Sequence, residues 1–281
     1  MPNQCVCVSL LAILCLSGCG GGGSASSNNP SSPPPPVPAN VQGQWDSVAH
    51  SSVSPTGYVF VETNLTQTGT DVFAGQSSTF LVQGVQDPNN SNLIDLIGLG
   101  GECDNGALGD TSLQGTISNQ TSFSFTLTDA GTLGTSTTTG TATISQSGSQ
   151  LSGGNYSTPA ACGLGADSGT ITGTHIQPFS GSYAGMLYGG TDAVIVSLSQ
   201  TNYTLSVSGT DNGAQFTLSG GVVGATFDEK GTVSGQAVEF VGIYDPTAND
   251  FLVFDTGLNY LGTLKSGTNP QTVVVGEHLH I

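Results

Sequence analysis

SFSFTLTD, residues 122–129, alternates apolar and polar side chains and decides the fold. Phe123, Phe125 and Leu127 fall on one face of an extended chain, and the hydroxyl side chains between them fall on the other. A run with this period of two predicts an antiparallel strand that has one face in a core and the other face in solvent.

The same alternation recurs along the chain. It is found in DAVIVSLSQ (192–200), YTLSVSG (203–209), AQFTLSG (214–220), QAVEFVGIYD (236–245) and DFLVFDTG (250–257). Gly, Asn and Asp separate these runs, and Asp104-Asn105-Gly106 and Asp211-Asn212-Gly213 are typical of tight hairpin turns. From Val41 onward no stretch shows an apolar stripe over three helical turns. The sequence therefore predicts an all-β fold of antiparallel meander barrels or sandwiches.

Several of the predicted hairpins resemble one another in sequence. One group comprises NLTQTGTDVFAG (64–75), TISQSGSQLSGG (143–154) and SLSQTNYTLSVSG (197–209). Such echoes indicate duplication of a hairpin-built unit. We predict two related β-domains, residues 41–178 and 179–269, with a boundary near Pro178 and a C-terminal tail over residues 270–281.

Charge restricts the partners of the chain. It has no Arg, only Lys230 and Lys265, and a formal net charge of −17. A nucleic-acid-binding surface needs Lys and Arg to displace counterions, so the sequence argues against a nucleic-acid partner. An anionic lipid surface would also repel the chain, and attachment to a membrane must therefore use something other than charge.

The N-terminus supplies such an attachment. Val6 to Leu16 is an apolar run of about eleven residues, too short for the roughly 20 residues that span a bilayer and suited to a signal peptide. It ends in Leu16-Ser17-Gly18-Cys19, which resembles the lipobox of bacterial lipoproteins. The resemblance implies a signal peptide over residues 1–18 and a diacylglyceryl group on the Cys19 sulfur. Gly20, by similarity to Gram-negative lipoproteins, favours the outer membrane.

A stalk follows the predicted lipid anchor. Residues 19–40 hold the lipidated cysteine, a flexible Gly/Ser-rich coil and a proline tract, Pro33 to Pro36, that is typical of stiff polyproline II. We expect this disordered stalk to lift a folded body away from the membrane of the cell envelope.

Cysteine usage predicts one disulfide. Three cysteines leave with the signal peptide and Cys19 carries lipid, so Cys103 and Cys162 remain. An even remainder in an exported protein favours a disulfide. The alternative is a metal site, for which two cysteines supply half of the ligands at most.

Gly43-Gln44-Trp45, at the start of the first strand, faintly resembles the Gly-x-Trp motif of lipocalins. In that family the Trp closes one end of a barrel and a basic residue packs over it. The resemblance implies a ligand cavity, with Lys265 as the candidate basic residue. The alternative is that Trp45 is only a core anchor.

Three further short stretches contain residue types that are found in catalytic or metal-binding sites. Asp255-Thr256-Gly257 resembles the active-site loop of aspartic proteases, whose chemistry needs two such loops. GEHLHI (276–281) offers Glu277, His278 and His280 to a metal, and DPNNSN (87–92) offers oxygens to calcium. A turn, a chain terminus and a polar loop are the simpler interpretations. The sequence predicts no catalytic, metal or cofactor-binding residue, and no cofactor.

These observations predict a lipid-anchored cell-envelope protein that presents a non-catalytic β-rich binding or structural module. The alternative is a lipocalin-like carrier of a small apolar ligand, and a remote alternative is an aspartic-type peptidase. The expected partners are the membrane, through the N-terminal lipid, and either a small apolar ligand or a surface partner.

Overall fold

A computed structural model describes residues 36–101, 103, 110–257, 259–271 and 278–280. The predicted signal peptide, Cys19 and most of the stalk lie outside the described residues, as do the Asp104-Asn105-Gly106 turn and Glu277. Pro36–Ile281 form one compact unit.

The first half of this unit contains a closed antiparallel barrel of eight strands. In spatial order the strands run β1-β10-β9-β8-β7-β6-β3-β2, and β2 pairs with β1 to close the ring. Their bounds are β1 Gly43–Ser51, β2 Gly57–Thr68, β3 Asp71–Ala74, β6 Asp110–Ser118, β7 Ser122–Gly131, β8 Gly134–Ile144, β9 Gln150–Thr158 and β10 Asp167–Ile176. The predicted alternation is confirmed, because Phe123, Phe125 and Leu127 are buried in the first core.

A flap of three strands extends the first barrel. The long strand β2 pairs with β3 through its last residues and with β4 along Gly57 to Thr63. The flap consists of β4 Thr79–Gln86, β5 Leu93–Leu99 and β19 His278–His280, and a short 3-10 helix, Gln76–Ser78, precedes it. In the predicted C-terminal tail, His278 to His280 thus form a strand on β5.

The second half forms another closed antiparallel barrel, an up-and-down meander of eight strands. The bounds are β11 Ser180–Leu187, β12 Asp192–Thr201, β13 Thr204–Asp211, β14 Ala214–Val223, β15 Thr226–Val233, β16 Gln236–Asp245, β17 Asp250–Asp255 and β18 Tyr260–Ser266. Each strand pairs with the next, and β11 closes the ring on β18. The all-β prediction with two related units is therefore confirmed, with both units as barrels.

Tight turns connect the meander. Asn212 and Gly213, with φ of 47° and 86°, join β13 to β14 as a two-residue hairpin loop. Positive φ at both positions is what a type I′ turn requires, and its twist matches that of the strands. This confirms the turn predicted at Asp211-Asn212-Gly213.

The outer faces of the two barrels pack on each other. A third apolar core joins the outer face of β2 to that of β16 and β17, with the flap beside them. Buried hydrogen bonds complete it: Asn64 Nδ2 donates to the Val222 carbonyl at 2.6 Å, and the Gly224 N–H donates to Asn64 Oδ1 at 3.0 Å. The Ala225 N–H donates to Glu62 Oε2 at 2.5 Å.

The turn between β14 and β15 is shaped for this contact. Gly224 has a φ of 56°, and a Cβ there would collide with the Glu62 carboxyl and the Trp45 carbonyl. Only glycine combines this conformation with so close an approach. The turn thereby fixes one end of the second barrel against the first.

The predicted disulfide is confirmed between Cys103 and Cys162, whose Cα atoms lie 5.1 Å apart. It links the loop before β6 to the loop after β9. Among the described residues no helix is long and apolar enough to cross a membrane.

Candidate functional site

The interior of the second barrel contains a cavity of about 290 Å³. This volume is close to the lower end of the roughly 300–1,000 Å³ range of small-molecule pockets. Its wall is mostly apolar, because alternate side chains of each strand point inward. The apolar wall comprises Leu187, Val194, Val196, Leu198, Val207, Phe216, Leu218, Phe227, Val233, Val238, Phe240, Phe251, Val253 and Leu264.

Aromatic side chains fill the end of this barrel that faces the β14–β15 turn. Phe251 lies at the centre, with ring centroids 5.1 Å from Phe179, 4.8 Å from Tyr183 and 5.5 Å from Phe227. These pairs have the edge-to-face geometry that aromatic rings favour. Tyr244 packs against the same ring at 4.9 Å. The cluster closes one end of the cavity.

One acidic side chain interrupts the apolar wall. Glu229, on β15, has 0% of its surface exposed, and within the described part of the chain neither carboxyl oxygen has a hydrogen-bond partner. In the sheet it lies opposite Phe240 of β16 on one side and opposite Gly220 of β14 on the other. Burial, with a smaller contribution from the neighbouring Asp228 carboxylate, raises the pKa of Glu229 to about 8. Native proteins rarely leave a buried polar group unpaired, so this carboxyl requires an explanation.

The opposite end of the cavity is its mouth. Tyr188, 47% exposed, lies there with Asp192, Asp211 and Ser234. Asp211 Oδ1 is buried without a hydrogen-bond partner among the described residues. Burial, followed by the Asp192 charge, raises the pKa of Asp211. Tyr188 itself adopts a φ of 51°. Positive φ is uncommon for a bulky side chain, and such conformations concentrate at binding sites.

The interior of the first barrel is more completely filled. Its cavity is about 100 Å³, with Trp45, Phe123 and Phe125 among the lining residues. Trp45 donates its indole N–H to the Val41 carbonyl at 2.8 Å, and its ring meets His175 edge-on with centroids 5.6 Å apart. His175 therefore occupies the place beside Trp45 for which the sequence suggested Lys265.

Lys265 lies on the other barrel. It belongs to β18, where it is exposed and faces Asp250 of β17. The lipocalin-like pairing of Trp45 with Lys265 is therefore wrong. The resemblance implied a ligand cavity. Each barrel contains a cavity, and the one in the second barrel is larger than the one in the barrel that contains Trp45.

The protease-like string forms a turn. Asp255 Oδ1 accepts hydrogen bonds from the backbone N–H groups of Gly257 at 2.8 Å and Asn259 at 2.9 Å. The side-chain amide of Asn259 also donates to this carboxylate, and it makes the largest contribution to lowering the pKa of Asp255, followed by the backbone N–H of Asn259. The carboxylate is thus engaged in holding the β17–β18 connection.

Residues from two candidate metal-binding stretches, DPNNSN and GEHLHI, lie together in the flap. Asp95 contacts His278 Nδ1, and Asp87 Oδ2 lies 3.7 Å from Nε2 of the same ring. These three residues could each offer one ligand atom to an ion. His280 is separate from them: its Nδ1 lies 2.7 Å from Asp245 Oδ2. The two histidines that the sequence offered to one metal therefore contact different carboxylates.

Sequence reasoning missed Glu229. The segment TFDEKGTV (226–233) nevertheless contains a signal that identifies it. Alternation from Phe227 to Val233 places Glu229 on the apolar face of the strand, whereas an acid is expected on the polar face.

Neither protein-family models nor curated proteins nor solved structures give a significant match to this chain.

Proposed function

We propose that this chain is a non-catalytic binding protein whose second barrel holds a small, mostly apolar molecule. One observation carries the proposal: a cavity of about 290 Å³ with an apolar wall contains the buried, unpartnered carboxyl of Glu229. Ligand sites combine such walls with a small number of converging polar groups. A barrel interior with a purely structural role would be filled by its own side chains.

The first barrel would then serve as a platform. Its interior is packed around Trp45, and its outer face contacts the second barrel through Glu62 and Asn64. Those contacts involve the closed end of the second barrel, where the β14–β15 turn lies. The mouth, formed by the loops at the opposite end, stays accessible.

We also propose that the protein is held at the outer membrane by lipid on Cys19. The lipobox-like Leu16-Ser17-Gly18-Cys19 supports this proposal, together with a charge of −17 that leaves no electrostatic route to anionic lipid. Expression of the full chain with radiolabelled palmitate should label the wild type and spare Cys19→Ser. Equal labelling of both chains would exclude this anchor.

Ligand binding is tested with 2-phenylethanol, a neutral probe with an aromatic body. The full chain is placed in nanodiscs of zwitterionic lipid, and calorimetric titration is corrected with empty nanodiscs. Val238→Trp inserts bulk into the cavity, whereas Ala237→Trp, one residue away, adds the same ring to the exposed outer face. We expect binding to the wild type and to Ala237→Trp, and at least a tenfold loss in Val238→Trp.

The absence of measurable binding to the wild type would overturn the proposal, and so would equal binding by the two tryptophan variants. A mass comparison adds a second readout. Chain purified from the envelope should carry, under native conditions, an extra mass that denaturation removes.

A further inference from the structure

We infer that the ligand of the second barrel is a small organic cation, a protonated amine attached to an apolar body, whose ammonium group pairs with Glu229. The inference rests on the binding role proposed above and names the chemical class of the ligand. Four features of the described residues carry it: the isolated carboxyl, the acidic mouth, the positions of the two lysines, and the aromatic wall.

The first feature is the chemistry that Glu229 demands. Both of its oxygens are buried inside the barrel and lack a donor among the residues that the structure describes. A carboxylate is acceptor-only and can bind several donors, and an ammonium group supplies three together with the opposite charge. Hydrogen bonds between charged groups are about twice as strong as neutral ones. An amine therefore satisfies this carboxyl more completely than an alcohol, which donates once.

The second feature is the charge along the entry path. Burial raises the pKa of the Tyr188 phenol at the mouth, and the nearby charges of Asp192, Asp211 and Asp255 raise it further. A mouth lined by charge of one sign concentrates ligands of the other sign. Anionic ligands such as fatty acids meet repulsion from these carboxylates at the mouth.

The third feature is that neither lysine of the chain serves this site. Lys230 points outward from β15, where its Nζ lies 2.7 Å from Glu239 and 3.4 Å from Asp228. Lys265 faces Asp250 near the closed end of the barrel. Because the sequence contains no other Lys and no Arg, and its four histidines lie on the first barrel and its flap, a cation for Glu229 has to come from outside the chain.

The fourth feature is the aromatic wall. Phe216, Phe227, Phe240 and Phe251 line the same cavity as Glu229. Aromatic faces attract cations, and the interaction is stronger where water is excluded. The wall therefore accommodates both the apolar body of the ligand and the charge that it carries.

Binding releases one proton per ligand. At neutral pH the buried Glu229 carboxyl is protonated, because its pKa is raised to about 8. When a protonated amine enters, the O–H bond of the carboxyl breaks and its proton passes to water. The product is a carboxylate–ammonium pair, and the total charge inside the barrel stays at zero.

Three probes with one aromatic body test the inference: 2-phenylethylamine, 2-phenylethanol and 3-phenylpropanoate. They are titrated at pH 7 into the full chain in zwitterionic nanodiscs, in two buffers with different ionisation enthalpies. Glu229→Gln is compared with Glu239→Gln, which makes the same substitution of glutamine for glutamate on the outer face.

We expect the wild type and Glu239→Gln to bind the amine at least tenfold more tightly than the alcohol, and the acid at least tenfold more weakly. About one proton should be released per amine. In Glu229→Gln the affinities for the amine and the alcohol should differ by no more than about threefold. No proton should be released on binding of the amine, and the alcohol should still bind.

Equal affinity for amine and alcohol in the wild type, or an unchanged preference in Glu229→Gln, would overturn this inference. In both cases the alcohol still binds, so the proposed function stands. Failure of the alcohol itself to bind the wild type contradicts the proposed function, and the two failures are therefore distinguishable.

Discussion

Asp46 and Glu62 face each other across β1 and β2, and both carboxyl groups are buried where the first barrel contacts the second. Burial raises the pKa of each, and their mutual proximity adds to the shift of Glu62. Glu62 accepts the Ala225 N–H, whereas Asp46 Oδ1 has no hydrogen-bond partner in the described ranges. Two buried carboxyl groups this close cannot both ionise cheaply, so the pair retains a proton near neutral pH.

This pair predicts that stability falls as pH rises through the acid range. The pKa of Asp46 is raised from 3.8 to about 7 in the folded chain. Between about pH 4 and 7 the folded state therefore binds more protons than the unfolded state, and the free energy of unfolding decreases as pH rises. In Asp46→Asn we expect the decrease from pH 5 to pH 8 to be smaller by roughly 2–4 kcal/mol. Urea unfolding at the two pH values measures it.

Asp71→Asn is the matched control, because Asp71 is exposed on β3. It should reproduce the wild-type dependence on pH. The prediction is wrong if Asp46→Asn and Asp71→Asn give the same difference between pH 5 and pH 8.

Asn64 provides a test of the contact between barrels. Its side chain donates to the Val222 carbonyl and accepts the Gly224 N–H, both in a buried setting. Asn64→Ala leaves these two backbone groups unpaired, and we expect a loss of roughly 2–4 kcal/mol in the free energy of unfolding. Asn155→Ala, on the exposed face of β9, should change it by less than about 0.5 kcal/mol. Similar losses in both variants would show that the Asn64 bonds do not stabilise the chain.

The alternation of side chains was sufficient to predict strands, turns and an all-β fold. In SFSFTLTD the sequence alone determines which side chains face the core, because with strict alternation Phe123 and Phe125 can be buried together in only one orientation of the strand. The disulfide also followed from counting cysteines. These predictions depend on local pattern or on arithmetic, which one sequence contains.

What the sequence could not predict depends on non-local pairing. Asp46 and Glu62 alternate with inward-facing neighbours and therefore look like surface residues, yet a second barrel buries them. The size of the cavity around Glu229 depends on strand number and stagger, which no single strand encodes. Likewise, His278 pairs with β5 only because the chain returns to the flap after both barrels are complete.

The disulfide predicts a measurable loss on reduction. Cys103 and Cys162 are separated by 59 positions, and a closed loop of that length is worth roughly 4 kcal/mol in the chain-entropy model. We expect urea denaturation to give Cys103→Ala/Cys162→Ala a free energy of unfolding that is lower than that of the oxidised wild type by about this amount. In the presence of reductant, the wild type should have the same free energy of unfolding as the double variant. A double variant as stable in urea as the oxidised wild type would show that the bridge contributes little.

We expect ionisation of Glu229 to lower the free energy of unfolding when no ligand is bound in the barrel. Its pKa is raised from 4.5 to about 8, so the free energy of unfolding falls as pH rises between these values and levels off above them. Glu229→Gln lacks this titration, and relative to the wild type it should gain roughly 3–5 kcal/mol on going from pH 5 to pH 9. Glu239→Gln, whose parent side chain is exposed, should show no such gain. Addition of 2-phenylethylamine at pH 9 should stabilise the wild type by more than it stabilises Glu229→Gln, because the amine supplies the cation that the ionised carboxylate lacks. If the amine stabilises both chains equally at pH 9, the ligand does not reach Glu229, and the carboxyl is only a destabilising feature of the barrel.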